Sequence, residues 1–198
     1  MNLTLLAGAF TFAAVAAFTP GPNNLIALAS GATFGFRRAL PQVAGVGVGF
    51  GSMLLLIGLG LGALFTAFPV LYTVLKYAAI AYLLWLAWQI ARSGAIGEGQ
   101  TRARPMTFWG AAAFQWVNPK GWVAALTAVS TFTDPSAYWP SVGALTGLNV
   151  VLAMTAVSAW AAFGLFVRGW LSSPRRQTVF NVGMAVLLVL SVVPSLLH

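Results

Sequence analysis

A chain of 198 residues with ten Lys and Arg, two Asp and Glu, no Cys and 60% apolar side chains cannot clothe itself for water. A soluble domain carries about a quarter charged residues, whereas here the share is 6% and the mean hydropathy is +0.88. Without cysteine, and with a single histidine at position 198, disulfide frameworks, thiolate metal sites and histidine-based catalysis are excluded, so neither metal nor cofactor is expected. The net charge of +8 is scattered among apolar runs and forms no basic stripe, which points to a lipid bilayer as the partner and away from nucleic acid.

Six apolar runs are long enough to cross a hydrocarbon core, which takes roughly 20 helical residues. They cover residues 3–34, 41–68, 70–90, 107–132, 139–167 and 178–197, and the absence of alternation makes them helices and not barrel strands. No basic residue precedes the first run, so it lacks the flank of a secretory signal and is expected to be retained. Arg37 and Arg38 follow the first run, Arg92, Arg102 and Arg104 the third, and Arg168, Arg175 and Arg176 the fifth, while the connections after the second and fourth hold neither Lys nor Arg. Positive charge marks the cytoplasmic side, which predicts both termini outside. Residues 92–104, rich in Gly and charge, read as a linker between two halves.

The halves look duplicated. Pro20 and Pro119 stand 99 residues apart (119 − 20), as do Pro41 and Pro140. Three spans per half make the second half enter from the opposite side, so the expected fold is an all-α integral membrane protein of six transmembrane helices. Its two inverted three-helix repeats would span residues 1–92 and 107–198, with the first helix of each broken at proline. Proline removes a donor and clashes with the preceding turn, so Phe18-Thr-Pro-Gly-Pro-Asn-Asn24 and Trp116-Val-Asn-Pro-Lys-Gly121 should interrupt spans one and four.

Irregular backbone at membrane depth survives only against protein or a water-filled cavity. It exposes helix ends whose amides draw anions and whose carbonyls draw cations, the two charges of an amino-acid zwitterion. Asn23, Asn24 and Asn118 add neutral hydrogen-bonding groups beside those ends, and Lys120 adds a cation near mid-span. The expected site therefore sets Lys120 and the amides after Pro22 on the carboxylate. The carbonyls before Pro20 and Pro119, with Asn23 and Asn118, take the ammonium. An ionisable residue inside a membrane is a functional candidate because its placement is costly, whereas Lys76, near the outer end of span three, is equally explained by snorkelling. Asp134 lies in an outer connection and Glu98 in the inner linker. Glycines 45, 47, 49, 51, 58, 60 and 62 of span two invite close helix contact, within one molecule or between two. Trp85, Trp88 and Trp139 read as interface anchors.

The ordered set Thr19-Pro-Gly-Pro-Asn23, Lys76-Tyr-Ala-Ala-Ile-Ala-Tyr-Leu83, Asn118-Pro-Lys120, Asp134-Pro135, Asn149, Trp160, Gly164 and Phe180-Asn181 covers almost the whole chain. In it the sequence resembles the LysE/RhtB family of bacterial amino-acid exporters. The resemblance implies export of amino acids or close derivatives across the inner membrane, driven by protons, by a six-helix protein for which a homodimer is allowed. It points to Pro20, Gly21, Pro22, Asn23, Lys76, Asn118, Pro119 and Lys120 as functional positions. No Asp or Glu lies within a span, so coupling would fall to Lys120, Lys76, Asp134 or the substrate's own protons. Two other classes stay open at this stage: an intramembrane hydrolase using a serine with Lys120, and a scaffold subunit assembled through span two.

Overall fold

A computed structural model describes residues 3–61, 67–92, 105–171 and 173–190. Its elements are α1 (Leu3–Phe18), α2 (Pro22–Phe34), α3 (Phe36–Leu56) with a π turn at Ile57–Leu61, α4 (Pro69–Arg92), α5 (Phe108–Val117), α6 (Pro119–Phe132), a 3-10 turn at Pro135–Ala137, α7 (Tyr138–Arg168) and α8 (Pro174–Leu190). No strand occurs among the described residues.

Local chemistry sets the ends. Helix α1 stops at Phe18, and Pro22 starts α2 from the first helical position, where its missing N–H costs nothing. The two axes meet at 51°. Asn118 is extended (φ −86°, ψ 106°), as the residue before a proline prefers, and so separates α5 from α6. Gly35, at φ 85°, turns the chain between α2 and α3 in a conformation that a side chain would strain.

Two span limits need correction. The second helix begins at Phe36 and not at residue 41, leaving Pro41 inside it. The amide that Pro41 lacks would have bonded the Arg37 carbonyl in the helix's first turn, where an unpaired carbonyl can meet polar surroundings. The sixth begins at Pro174, so Arg175 and Arg176 belong to its first turn. Among the described residues, Phe36–Leu61 and Pro135–Arg168 are each long and apolar enough to cross a membrane, and α1 with α2 makes a third such span when taken as one broken helix.

The core is apolar, and so is much of the surface, unlike that of a soluble protein. Leu3, Phe10, Val48, Val151, Phe163 and Phe166 are exposed, whereas Asn24, Gln42, Gln115, Asn118, Ser141, Asn149, Gln177 and Asn181 are buried. Helix α2 lies along α7, and α3 packs against both α5 and α7. The glycines of α3 make this closeness possible. A Cβ at Gly45 or Gly49 would stand 2.2 Å and 2.4 Å from the carbonyl oxygens of Phe108 and Ala112, both on α5, while Gly47 and Gly51 face Met154 and Val150 on α7. These glycines therefore serve contacts inside one molecule. The same device joins α2 to α7, where a Cβ at Gly31 would meet the Ala161 oxygen at 2.0 Å and one at Gly164 the Leu28 oxygen at 2.1 Å.

Candidate functional site

The two breaks open on one cavity of about 70 Å³ between α1, α2, α3, α5, α6 and α7. Gly21, Pro22, Asn23 and Asn24 line it from the first break, and Asn118, Lys120 and Gly121 from the second. Pro20 and Pro119 make the breaks without lining the cavity. Asp134 lies away from it, at the turn before α7, where the hydroxyl and backbone N–H of Ser136 both donate to its carboxylate (2.6 and 3.0 Å) and hold the carboxyl below its ordinary range. The side chain of Lys76, together with Gly62, Gly97, Glu98, Arg102, Arg104 and His198, lies outside the described residues.

Lys120 connects the breaks. Its Nζ donates to the carbonyl oxygens of Thr19 (2.7 Å) and Pro20 (3.5 Å), across 101 and 100 residues of sequence. The lysine stem lies over Gly21, where a Cβ would meet its Cδ and Nζ at 2.9 Å, so only glycine admits this path. A second bridge is reciprocal: Asn23 Nδ2 donates to Gln115 Oε1 (2.8 Å), and Gln115 Nε2 to Asn23 Oδ1 (3.1 Å).

The carbonyls before Pro20, expected to receive a substrate ammonium, are engaged by the protein's own donors. Asn24 Nδ2 donates to Ala17 O (2.7 Å) and Thr19 O (3.0 Å), Trp160 Nε1 to Phe18 O (3.3 Å), and Lys120 to Thr19 O and Pro20 O. At the second break, Trp122 Nε1 takes Trp116 O (2.8 Å). What stays open is a different set. Neither Gly21 nor Asn118, the residues that precede α2 and α6, caps its helix with a side chain. The first-turn amides of both helices therefore keep their hydrogen-bonding capacity and the positive end of a dipole. Asn118 Oδ1 is buried with no hydrogen-bond donor. Asn149, also in the lining, spends its Nδ2 on Leu145 O (2.9 Å), and its Oδ1 adds an acceptor to the same side chain.

The site thus joins two positive helix ends and an ammonium to the donorless Asn118 oxygen and the Asn149 amide, with no carboxylate in its lining among the described residues. That combination suits a small anion-bearing solute with a neighbouring donor group. No cluster of three or more metal-binding side chains stands among the described residues. Gln115 and Asn149 were absent from the residues expected at the site. The signal was a polar side chain within an apolar run, a costly placement that Gln115 shows one turn before the Asn118 break.

Comparison with known proteins agrees with this chemistry. The family model for LysE type translocators matches residues 14–193. Proteins named cysteine/O-acetylserine efflux protein from Escherichia coli strain K12, Escherichia coli O9:H4 strain HS and Shigella sonnei strain Ss046 are each 35% identical over 192 residues, covering 96% of both chains. No solved structure matches. With a match along nearly its full length and apolar helices throughout, this chain is a multi-pass membrane protein and belongs to the LysE type translocator family.

Proposed function

We propose that this protein is a secondary transporter of the bacterial inner membrane that exports a small amino acid or close derivative with an uncharged side chain, of the cysteine or O-acetylserine kind, in exchange for protons. The observation that carries the reading is the central cavity, which brings together two uncapped helix N-termini, Lys120, the Asn149 amide and the buried Asn118 oxygen, which has no donor. The substrate carboxylate sits on the α2 and α6 amide ends and Lys120, and its ammonium on Asn118 Oδ1 and Asn149 Oδ1. Gly21 and Pro22 shape the approach, and Asn24 braces the first break. A neutral side chain suits this cavity because, among the described residues, no acidic side chain lines it to balance a second positive charge. Among the described residues Lys120 is the only ionisable side chain in the lining, which makes it the favoured partner for a proton exchanged against substrate.

Alternating access of two inverted repeats, residues 1–92 and 107–198, would expose the cavity to each side in turn. Two features support the repeats: α1 packs on α7 as α5 packs on α3, and Gln42 and Ser141, 99 residues apart (141 − 42), are both fully buried polar side chains. The cytoplasmic side would carry Arg37, Arg38, Arg92, Arg168, Arg175 and Arg176, leaving both termini outside. The guanidinium of Arg168 lies beside Gly35, which brings two of the arginine-bearing turns together. The α3 glycines are spent within the monomer, so a homodimer would form through another face. Lys120 Nζ bonds carbonyl oxygens and no serine hydroxyl, which speaks against a serine–lysine hydrolase.

The test is counterflow in proteoliposomes against a panel of amino acids including cysteine and O-acetylserine. Exchange of neutral members above the rate of empty liposomes is expected, and no exchange with any member would remove the reading.

A further inference from the structure

A second cavity, of about 250 Å³, lies beside the first along α2 and α5 and extends to α4 and α8. Helix α2 lends Asn23 to the central cavity and Ser30 and Thr33 to the second. Helix α5 lends Gln115 to the central one and Gly110 to the second. At 1.5 Å per residue, Ser30 is about 10 Å along α2 from Asn23 and Gly110 about 7 Å along α5 from Gln115, so the cavities are stacked one to two turns apart. The lining reaches Phe34 and Ile90, which precede Gly35 and Arg92, and thus runs to the arginine-bearing end of the molecule.

The lining chemistry is neutral but not inert. Thr11, Thr155 and Thr178 return their hydroxyls to carbonyls four residues back, as helical Ser and Thr commonly do. Ser30, only 5% exposed, Thr33 and Tyr82 bring hydroxyls into this lining. A hydroxyl both donates and accepts, so these groups can meet either water or a polar solute. Among the described residues no ionised side chain lines this cavity, so a zwitterion here must keep part of its water, and the larger volume has room for several water molecules. The reciprocal Asn23–Gln115 pair lines the central cavity and joins the two helices that both cavities share. One residue along α5, Phe114 packs on Tyr82 with ring centroids 5.5 Å apart.

We infer that the second cavity is a waiting site on the arginine-bearing side for the same class of neutral amino acid, still partly hydrated, and that the Asn23–Gln115 pair is the gate through which the solute passes to the central site. This rests on the proposed export function and makes Asn23 a gating residue, its side-chain amide committed to Gln115.

The chain has no native cysteine, so single cysteines report cleanly. Ser30→Cys in proteoliposomes is treated with a membrane-impermeant maleimide from the arginine-bearing side, with O-acetylserine as the probe because it carries no thiol. Labelling should slow at least threefold with O-acetylserine, and should still do so when Lys120→Met disables the central site. Protection that vanishes with Lys120→Met, or no protection while O-acetylserine counterflow persists, overturns the waiting site. Failure of O-acetylserine counterflow in the unmodified protein instead overturns the transport reading beneath it. For the gate, Ala124→Cys in the central cavity should label from the same side at least fivefold faster when Gln115→Ala is added. Asn23→Ala, which removes the opposite partner, should give the same acceleration should Gln115→Ala fail to elute as a folded species. An unchanged rate in a folded variant overturns the gate.

Discussion

Lys120→Met separates binding from folding. The substitution keeps most of the stem that lies over Gly21 and deletes the ammonium, which donates to Thr19 O at 2.7 Å. That carbonyl is not orphaned by the loss, because Asn24 Nδ2 still donates to it at 3.0 Å. The folding cost should therefore stay near that of one ordinary hydrogen bond, about 1 kcal/mol. The binding cost is larger. A charge-assisted hydrogen bond to a substrate carboxylate contributes roughly 1.5–3 kcal/mol, which at 1.36 kcal/mol per decade is about a ten- to 150-fold loss of transport at subsaturating substrate. The assay is initial-rate counterflow in proteoliposomes, with monodispersity in detergent as the folding control. A monodisperse Lys120→Met protein transporting at the unmodified rate would show that the ammonium does not face the substrate.

Asn118→Ala removes a buried oxygen that has no donor in the structure, so it should lower transport about two- to tenfold, less than loss of the lysine, without lowering the thermal midpoint. Gly21→Ala puts a methyl 2.9 Å from the Lys120 Cδ and Nζ; since a flexible side chain yields more easily than backbone, transport should fall with little change in stability. Gly31→Ala presses a methyl against the Ala161 carbonyl, at 2.0 Å, and should destabilise the α2–α7 contact by about 1–3 kcal/mol, read as a lower unfolding temperature in detergent. An unaltered midpoint would mean that the two helices separate freely.

The breaks were legible because proline acts locally: Pro20 with Pro22, and Pro119 after Asn118, interrupt helices whatever surrounds them. Pro41 misled for the complementary reason. A proline inside the early turns of a helix leaves only the Arg37 carbonyl unpaired, and sequence cannot tell such a position from a helix start. The inward face of each span was harder to read, because lipid-facing and core-facing positions are both apolar and periodicity loses its contrast. The glycines of α3 signalled close contact, but their division between α5 and α7 depends on tertiary placement. The same holds for Asn23, whose partner Gln115 is 92 residues away, and for the carbonyls before Pro20, whose donors come from α2, α6 and α7. Sequence located the polar groups; only packing showed which satisfy one another and which remain for a solute.

The central claim is that the cavity between the breaks recognises both charges of a zwitterion. Its most direct measurement is competition against O-acetylserine counterflow by two relatives of that solute, one with the carboxylate converted to a carboxamide and one with the ammonium acylated. The account predicts that unlabelled O-acetylserine competes fully and that each blocked relative competes at least tenfold more weakly, the carboxamide losing much of that disadvantage relative to O-acetylserine when Lys120→Met is introduced. Equal competition by either blocked compound in the unmodified protein would contradict it, because a site built from two helix ends, Lys120, Asn118 and Asn149 cannot be indifferent to the charge it is made to hold.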